Sequence, residues 1–178
     1  LQSLKARLNL LTEMQHDYDG YYPGVKAVLL AARKNHPLLT GIVGVMAELI
    51  KVPDQVRVAI ETALGSGLQD IVTETDTDGK QAIAYLKSIK GGRATFLPLN
   101  VIVRPDNKDM KGKIEGVPGV LGFAAELVSC SEKARPAVDF LLKRVVVAKD
   151  MDAALAAARA LKHQARVVTL EGDLVNPG

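Results

Sequence analysis

The chain repeats itself, and that constrains its fold more than any other feature. Setting Gly41 over Gly119 aligns GIVGVMAELI with GVLGFAAELV, so that Gly44 falls on Gly122 and Ala47-Glu48-Leu49 on Ala125-Glu126-Leu127. The same offset carries Ala59-Ile60 onto Ala137-Val138 and Ala63-Leu64 onto Leu141-Leu142. Further on, DIV matches VVV, AIAYLKSIK matches ALAAARALK and RATFL matches RVVTL at a shorter offset near 72. The change of offset places a deletion where the first copy has GSG. Repetition at a fixed spacing is the mark of a duplicated structural unit.

Within each copy, strand and helix signals alternate. Gly41–Val52 is apolar and β-branched and reads as a strand. Pro53 opens a helical pattern through Val56, Ile60, Ala63 and Leu64, which Gly65 and Gly67 end. LQDIVT is a short strand. Thr75–Asp78 offers N-caps for a helix ending near Lys90, with Gly91 and Gly92 after it. ATFLPL is the next strand. Before this series, GYYPG and NHP bound an apolar run, Val25–Ala32. The fold class is therefore α/β in two related lobes: residues 19–103, then a charged, glycine-containing looped linker at 104–116, then residues 117–178.

At the N-terminus Leu1, Leu4, Leu8 and Leu11 form an apolar seam. Two heptads fall short of a coiled-coil signature, so periodicity alone reads residues 1–18 as an amphipathic helix capping a core, with a coiled-coil stump as the other reading. No stretch approaches the about 20 apolar residues of a membrane span.

Enzyme templates find little. No G-x-x-x-x-G-K-[ST] or G-x-S-x-G occurs, and Gly65-Ser66-Gly67 follows a helix where a dinucleotide fingerprint needs a preceding strand. His16, His36 and His163 are scattered without ligand spacing. The single Cys130 excludes an intrachain disulfide and reads as an inert packed thiol. Glu48 and Glu126 recur because the repeat recurs. With no Trp and 4% aromatics, base-stacking platforms do not fit.

Two features point to interaction instead. Lys87, Lys90 and Arg93 flank one helix-to-strand junction, and Lys143 with Arg144 lie in the second copy. In a chain of net charge +3, such residues read as a solvated face, or as weak, sequence-independent phosphate contacts if they converge. Glycines stand at strand ends, where backbones approach closely. A lobe with a free sheet edge must cover it or mate it with another copy.

GYYPGVKAVL, AELIKV, AIETALGSGLQDIV, GRATFLPL and LEGDLVNPG, in that order and across nearly the whole chain, resemble the hinge domain of bacterial chromosome-condensation SMC proteins. The resemblance implies two pseudo-repeated lobes with mixed sheets and a non-catalytic module that homodimerises by sheet-edge pairing. It makes residues 1–18 the incoming coiled-coil strand. It implies a dimer interface with Gly65, Gly67, Gly172, Asp173, Asn176 and Gly178 as candidates; the chain stops at Gly178, short of most of the glycine cluster that follows NPG in the family. It implies weak contact with double- or single-stranded DNA, for which Lys87, Lys90, Arg93, Lys143 and Arg144 are candidates. It places ATP and Mg in a distant head domain, with no cofactor here, and implies accessory subunits, no membrane, and a cytoplasmic location on the nucleoid. The competing readings are a small-molecule or anion-binding or catalytic α/β domain built on the glycine-rich turns, and a dedicated DNA-binding domain.

Overall fold

A computed structural model describes residues 18–177; the leucine seam of the first 17 residues and Gly178 lie outside them. Among the described residues the nine strands are β1 (Ile42–Val45), β2 (Ile50–Lys51), β3 (Ile71–Thr73), β4 (Phe96–Pro98), β5 (Val120–Phe123), β6 (Ser129–Cys130), β7 (Val145–Ala148), β8 (Arg166–Thr169) and β9 (Leu174–Val175). They form sheets ordered β1-β3-β4, β2-β6 and β5-β7-β8-β9. Within the first and third, β1–β3 and β5–β7 run antiparallel while β3–β4 and β7–β8 run parallel, so the sheets are mixed as expected.

The duplication is visible in the register itself. Gly44 faces Val72 and Gly122 faces Val147, each beside a bulge at the same place in its strand. Both glycines have positive φ, 155° and 141°. A bulge inserts an unpaired residue and bends the strand, and both copies keep it. The offset is 78 at Val45/Phe123, 75 at Ile71/Val146 and 71 at Phe96/Val167, judged by their strand partners. The shortening that the sequence assigns wholly to GSG therefore comes in two steps. Three residues go near GSG, and four go from the helix that follows: Asp76–Ile89 has 14 residues and Met151–Ala160 has 10.

Three other expectations are corrected. Gly41–Val52 is not one strand: β1 stops at Val45 and a single helical turn, Met46–Leu49, precedes β2. Met46 and Ala47 are adjacent and both buried, which an alternating strand cannot achieve against one face. Ala124–Leu127 repeats the turn in the second copy. The stretch 104–116 is not a simple loop, because Lys108–Ile114 is a helix burying Met110 and Ile114 one turn apart. Its counterpart is Pro23–Arg33, the helix formed by the apolar run with Pro23 in its first turn. Both precede the first strand of their copy and pack on the helix after the third.

The third correction concerns boundaries. Contacts divide the chain into one unit of residues Leu1–Leu49, Ser66–Val103 and Glu132–Ala137 and another of Ile50–Gly65, Arg104–Ser131 and Val138–Gly178. The lobes are discontinuous because local pairing captures segments. Residues 50–65 are held in the second unit by β2 on β6 and by Arg166, whose Nη1 donates to the Ala63 carbonyl at 3.0 Å. The first unit's core gathers Val25, Val28, Leu29, Val45, Ile71 and Leu86, with Tyr18 and Tyr21. The second gathers Met110, Ile114, Phe123, Val146, Val167 and an alanine-rich face of Met151–Ala160.

Candidate functional site

In the second unit the sheet ends at β9. After β8, Gly172 turns the chain with φ 94°, its N–H bonding the Thr169 carbonyl at 3.0 Å. Asp173 is fixed to the same residue twice: its N–H donates to Thr169 Oγ1 at 3.0 Å, and its carbonyl accepts from Thr169 N–H at 2.9 Å. Glycine is thus required here by the turn, whatever else it does. Leu174 faces Val168 in the register next to this bonded pair, so its own N–H and C=O point away from β8, along the outer edge. Among the described residues no strand pairs there. Asn176 follows β9 and is exposed.

In the first unit the sheet ends at β4. Thr95 and Leu99 bond to β3 (Ile71 N–H to Thr95 O, Leu99 N–H to Thr73 O, both 2.9 Å), which turns the backbone groups of Phe96 and Pro98 outward. Pro98 has no N–H to offer, a common way of blunting an edge. Of the remaining interface candidates, Gly65 caps helix Arg57–Leu64 with φ 53° and its N–H on Glu61 O, and a Cβ placed on it meets nothing within 4 Å. Gly67 is buried, accepting from Asp70 N–H at 3.1 Å. The two glycines fall in different units, which the motif GSG gives no hint of.

The basic candidates also separate. Lys87 is exposed in the last turn of Asp76–Ile89, Lys90 is its left-handed C-cap, and Arg93 is exposed just beyond. In the second unit Arg144 is engaged, holding Asp109 by two bonds of 2.9 and 3.1 Å and the Asp106 carbonyl at 2.9 Å. This clamp keeps the Asp109 carboxyl below its ordinary range and the guanidinium above its own. The Lys143 carbonyl accepts from Asn107 Nδ2 at 3.1 Å, tying the buried Asn107 to the end of helix Arg135–Leu142. The sequence missed this: 35 residues separate Asp109 from Arg144, and only the fold shows the pair.

Arg93 shares a cavity of about 300 Å³ with Ser66 and Asp70. Burial pushes the Asp70 carboxyl up to about 6. Because the folded pKa is raised, the stabilisation is complete below the unfolded value and is lost as pH rises through about 6. Unfolding followed against pH should show stability falling between about pH 4 and 7. Asp70→Asn should flatten that slope and gain about 1 kcal/mol at pH 8, discounted for partial exposure.

No metal centre is indicated: among the described residues no three His, Cys, Asp or Glu converge. His36 caps the turn Pro37–Leu39, its Nδ1 accepting from Leu38 N–H at 3.1 Å, and stacks edge-on against Tyr85. Cys130 lies half-buried in β6 opposite Ile50. No described helix is long and apolar enough to cross a membrane.

Comparison with known proteins agrees with this architecture. The model of the SMC proteins flexible hinge domain matches residues 39–158. The chain is 43% identical over 178 residues to the chromosome partition protein Smc of Desulfitobacterium hafniense (strain Y51), covering all of this chain and 15% of that protein. It thus spans about 15% of the length of the curated relatives it matches. An asymmetric dimer of the Geobacillus stearothermophilus SMC hinge domain matches with a TM-score of 0.87 and 46% identity, over 99% of this chain and 69% of that one. The Pyrococcus furiosus SMC protein hinge domain matches with a TM-score of 0.72 and 32% identity, over 99% of this chain and 86% of that one. Duplicated mixed sheets, bulges kept in both copies and matches spanning the chain lead to one assignment: the chain belongs to the SMC hinge-domain family.

Proposed function

We propose that this chain is the hinge of a chromosome partition SMC protein, joining two copies by sheet-edge pairing and touching DNA weakly. On this reading it serves chromosome organisation and segregation on the nucleoid, in a longer cytoplasmic protein whose head domain uses ATP and Mg and works with accessory subunits. The observation that carries the reading is the outer edge of β9. Three of the candidate interface residues, Gly172, Asp173 and Asn176, flank that strand, and Leu174 turns its backbone groups outward. The solved Geobacillus hinge, a dimer, supports it.

Sedimentation equilibrium tests the reading. The chain should dimerise, and Leu174→Pro, which removes the outward N–H and leaves the β8 bonds alone, should weaken the dimer about tenfold, near 1.4 kcal/mol. A chain that stays monomeric up to millimolar concentration would refute it.

DNA contact rests on the exposed Lys87, Lys90 and Arg93. Replacing all three by alanine should weaken duplex binding and lower the slope of log K against log salt by about 2 to 3. An unchanged slope moves the contact elsewhere.

A further inference from the structure

In the first unit, the place where helix Pro23–Arg33 meets β1 is closed by the chain's own tyrosines. Tyr18 and Tyr21 are each 7% exposed and share a buried cluster with Val45 and Ala47. Their ring centroids are 5.8 Å apart, and the Arg33 guanidinium lies 4.6 Å from the Tyr18 centroid. Glu48 completes the surroundings: its charge helps raise the Tyr21 phenol, after burial, and Arg33 acts on it in turn.

The second unit repeats the helix, the strand and the charged pair of this site, and no tyrosine lines the counterpart. Helix Lys108–Ile114 stands where Pro23–Arg33 stands, with Lys111 in its last turn as Arg33 is in the other. β5 replaces β1, and Glu126 occupies the repeat position of Glu48. Lys111 Nζ lies 3.9 Å from Glu126 Oε1. Between these groups is a cavity of about 320 Å³, walled by Ile114, Leu121, Gly122 and Phe123. That volume is at the lower end for a specific small pocket. The two bulge glycines differ as well, through Leu49 and not through the tyrosines. A Cβ on Gly44 meets Leu49 at 3.1 Å, whereas a Cβ on Gly122 meets nothing within 4 Å.

We propose that the cavity between helix Lys108–Ile114 and β5 is a docking site for a tyrosine-bearing partner segment of the form Tyr-x-x-Tyr, seated as Tyr18 and Tyr21 are seated in the first unit. The electrostatics match the occupant. The Lys111 ammonium complements the negative face of a ring, as the Arg33 guanidinium does for Tyr18, and a mixed lining, with Glu115 and Glu126 beside Ile114, Leu121 and Phe123, suits an aromatic body with a polar end. The site involves neither β9 nor the basic residues above, so its test is independent of self-association and DNA contact.

The probe is a synthetic peptide with the sequence of residues 18–24, YDGYYPG, titrated into the chain and followed by amide NMR and by anisotropy of a labelled copy. Saturable shifts are expected at Lys111, Gly122, Phe123 and Glu126. Replacing the first and fourth peptide residues, both Tyr, by alanine should weaken binding at least about tenfold. Leu121→Trp, which fills the cavity, should abolish it with the melting transition retained. Lys111→Ala, on an exposed side chain, should weaken it about threefold and serves should the tryptophan variant not fold. Equal binding of the alanine peptide, shifts confined to other residues, or no saturable shift up to millimolar peptide would each overturn the proposal.

Discussion

Gly24→Ala should destabilise the chain by about 3 kcal/mol. Gly24 sits at the start of helix Pro23–Arg33, where a Cβ would stand 2.1 Å from the Arg93 carbonyl oxygen and 2.7 Å from the Arg93 nitrogen. Both obstacles are backbone, so no rotamer change relieves them. Either the helix or the strand-leading segment 93–95 must move, and that segment bonds β3 through Thr95. The loss should appear in urea unfolding as a lower midpoint at unchanged slope. Protein concentration must be held constant, because self-association would add to stability. A change below about 1 kcal/mol would mean that the helix and segment 93–95 pack less tightly than described.

Leu142→Ala should cost a similar amount, about 3 kcal/mol, for the opposite reason. Leu142 is fully buried at the end of helix Arg135–Leu142, separated by Lys143 and Arg144 from β7, whose four residues are all buried. Truncation removes apolar contacts and leaves a void that a fully buried strand cannot collapse to fill. Its repeat partner Leu64 is 8% exposed and closes a helix that ends in a solvent-facing glycine. Leu64→Ala should therefore cost less, and unfolding midpoints of the two variants compare them directly. Equal losses would show that the surroundings of Leu64 are as closed as those of Leu142.

Much of this fold can be read in the residues because the chain states its pattern twice. Helix Asp76–Ile89 is announced by Thr75 and Asp78, and they form a reciprocal capping box, with the Thr75 hydroxyl accepting from Asp78 N–H and the Asp78 carboxylate accepting from Thr75 N–H. Lys90 then ends the helix in a left-handed conformation with Gly91 beyond it. The short strands DIV and ATFLPL are equally plain. What stayed hidden depends on contacts distant in sequence. The single turns Met46–Leu49 and Ala124–Leu127 have strand-like composition, and only the burial of neighbouring residues reveals them. Lys108–Ile114 hides its two buried residues among four charges. Of the site, the turn at Gly172 is legible, but the tail LEGDLVNPG reads as turn chemistry with no closing element, and only its pairing with β8 makes Leu174–Val175 a strand; the engagement of Arg144 by Asp109 and the seating of Tyr18 and Tyr21 are equally hidden.

The order in which the units claim the chain decides how it can be divided. The polypeptide crosses from one unit to the other five times, the last time inside helix Arg135–Leu142. A gene cut at its midpoint would encode no whole lobe, because each unit draws residues from both halves of the chain.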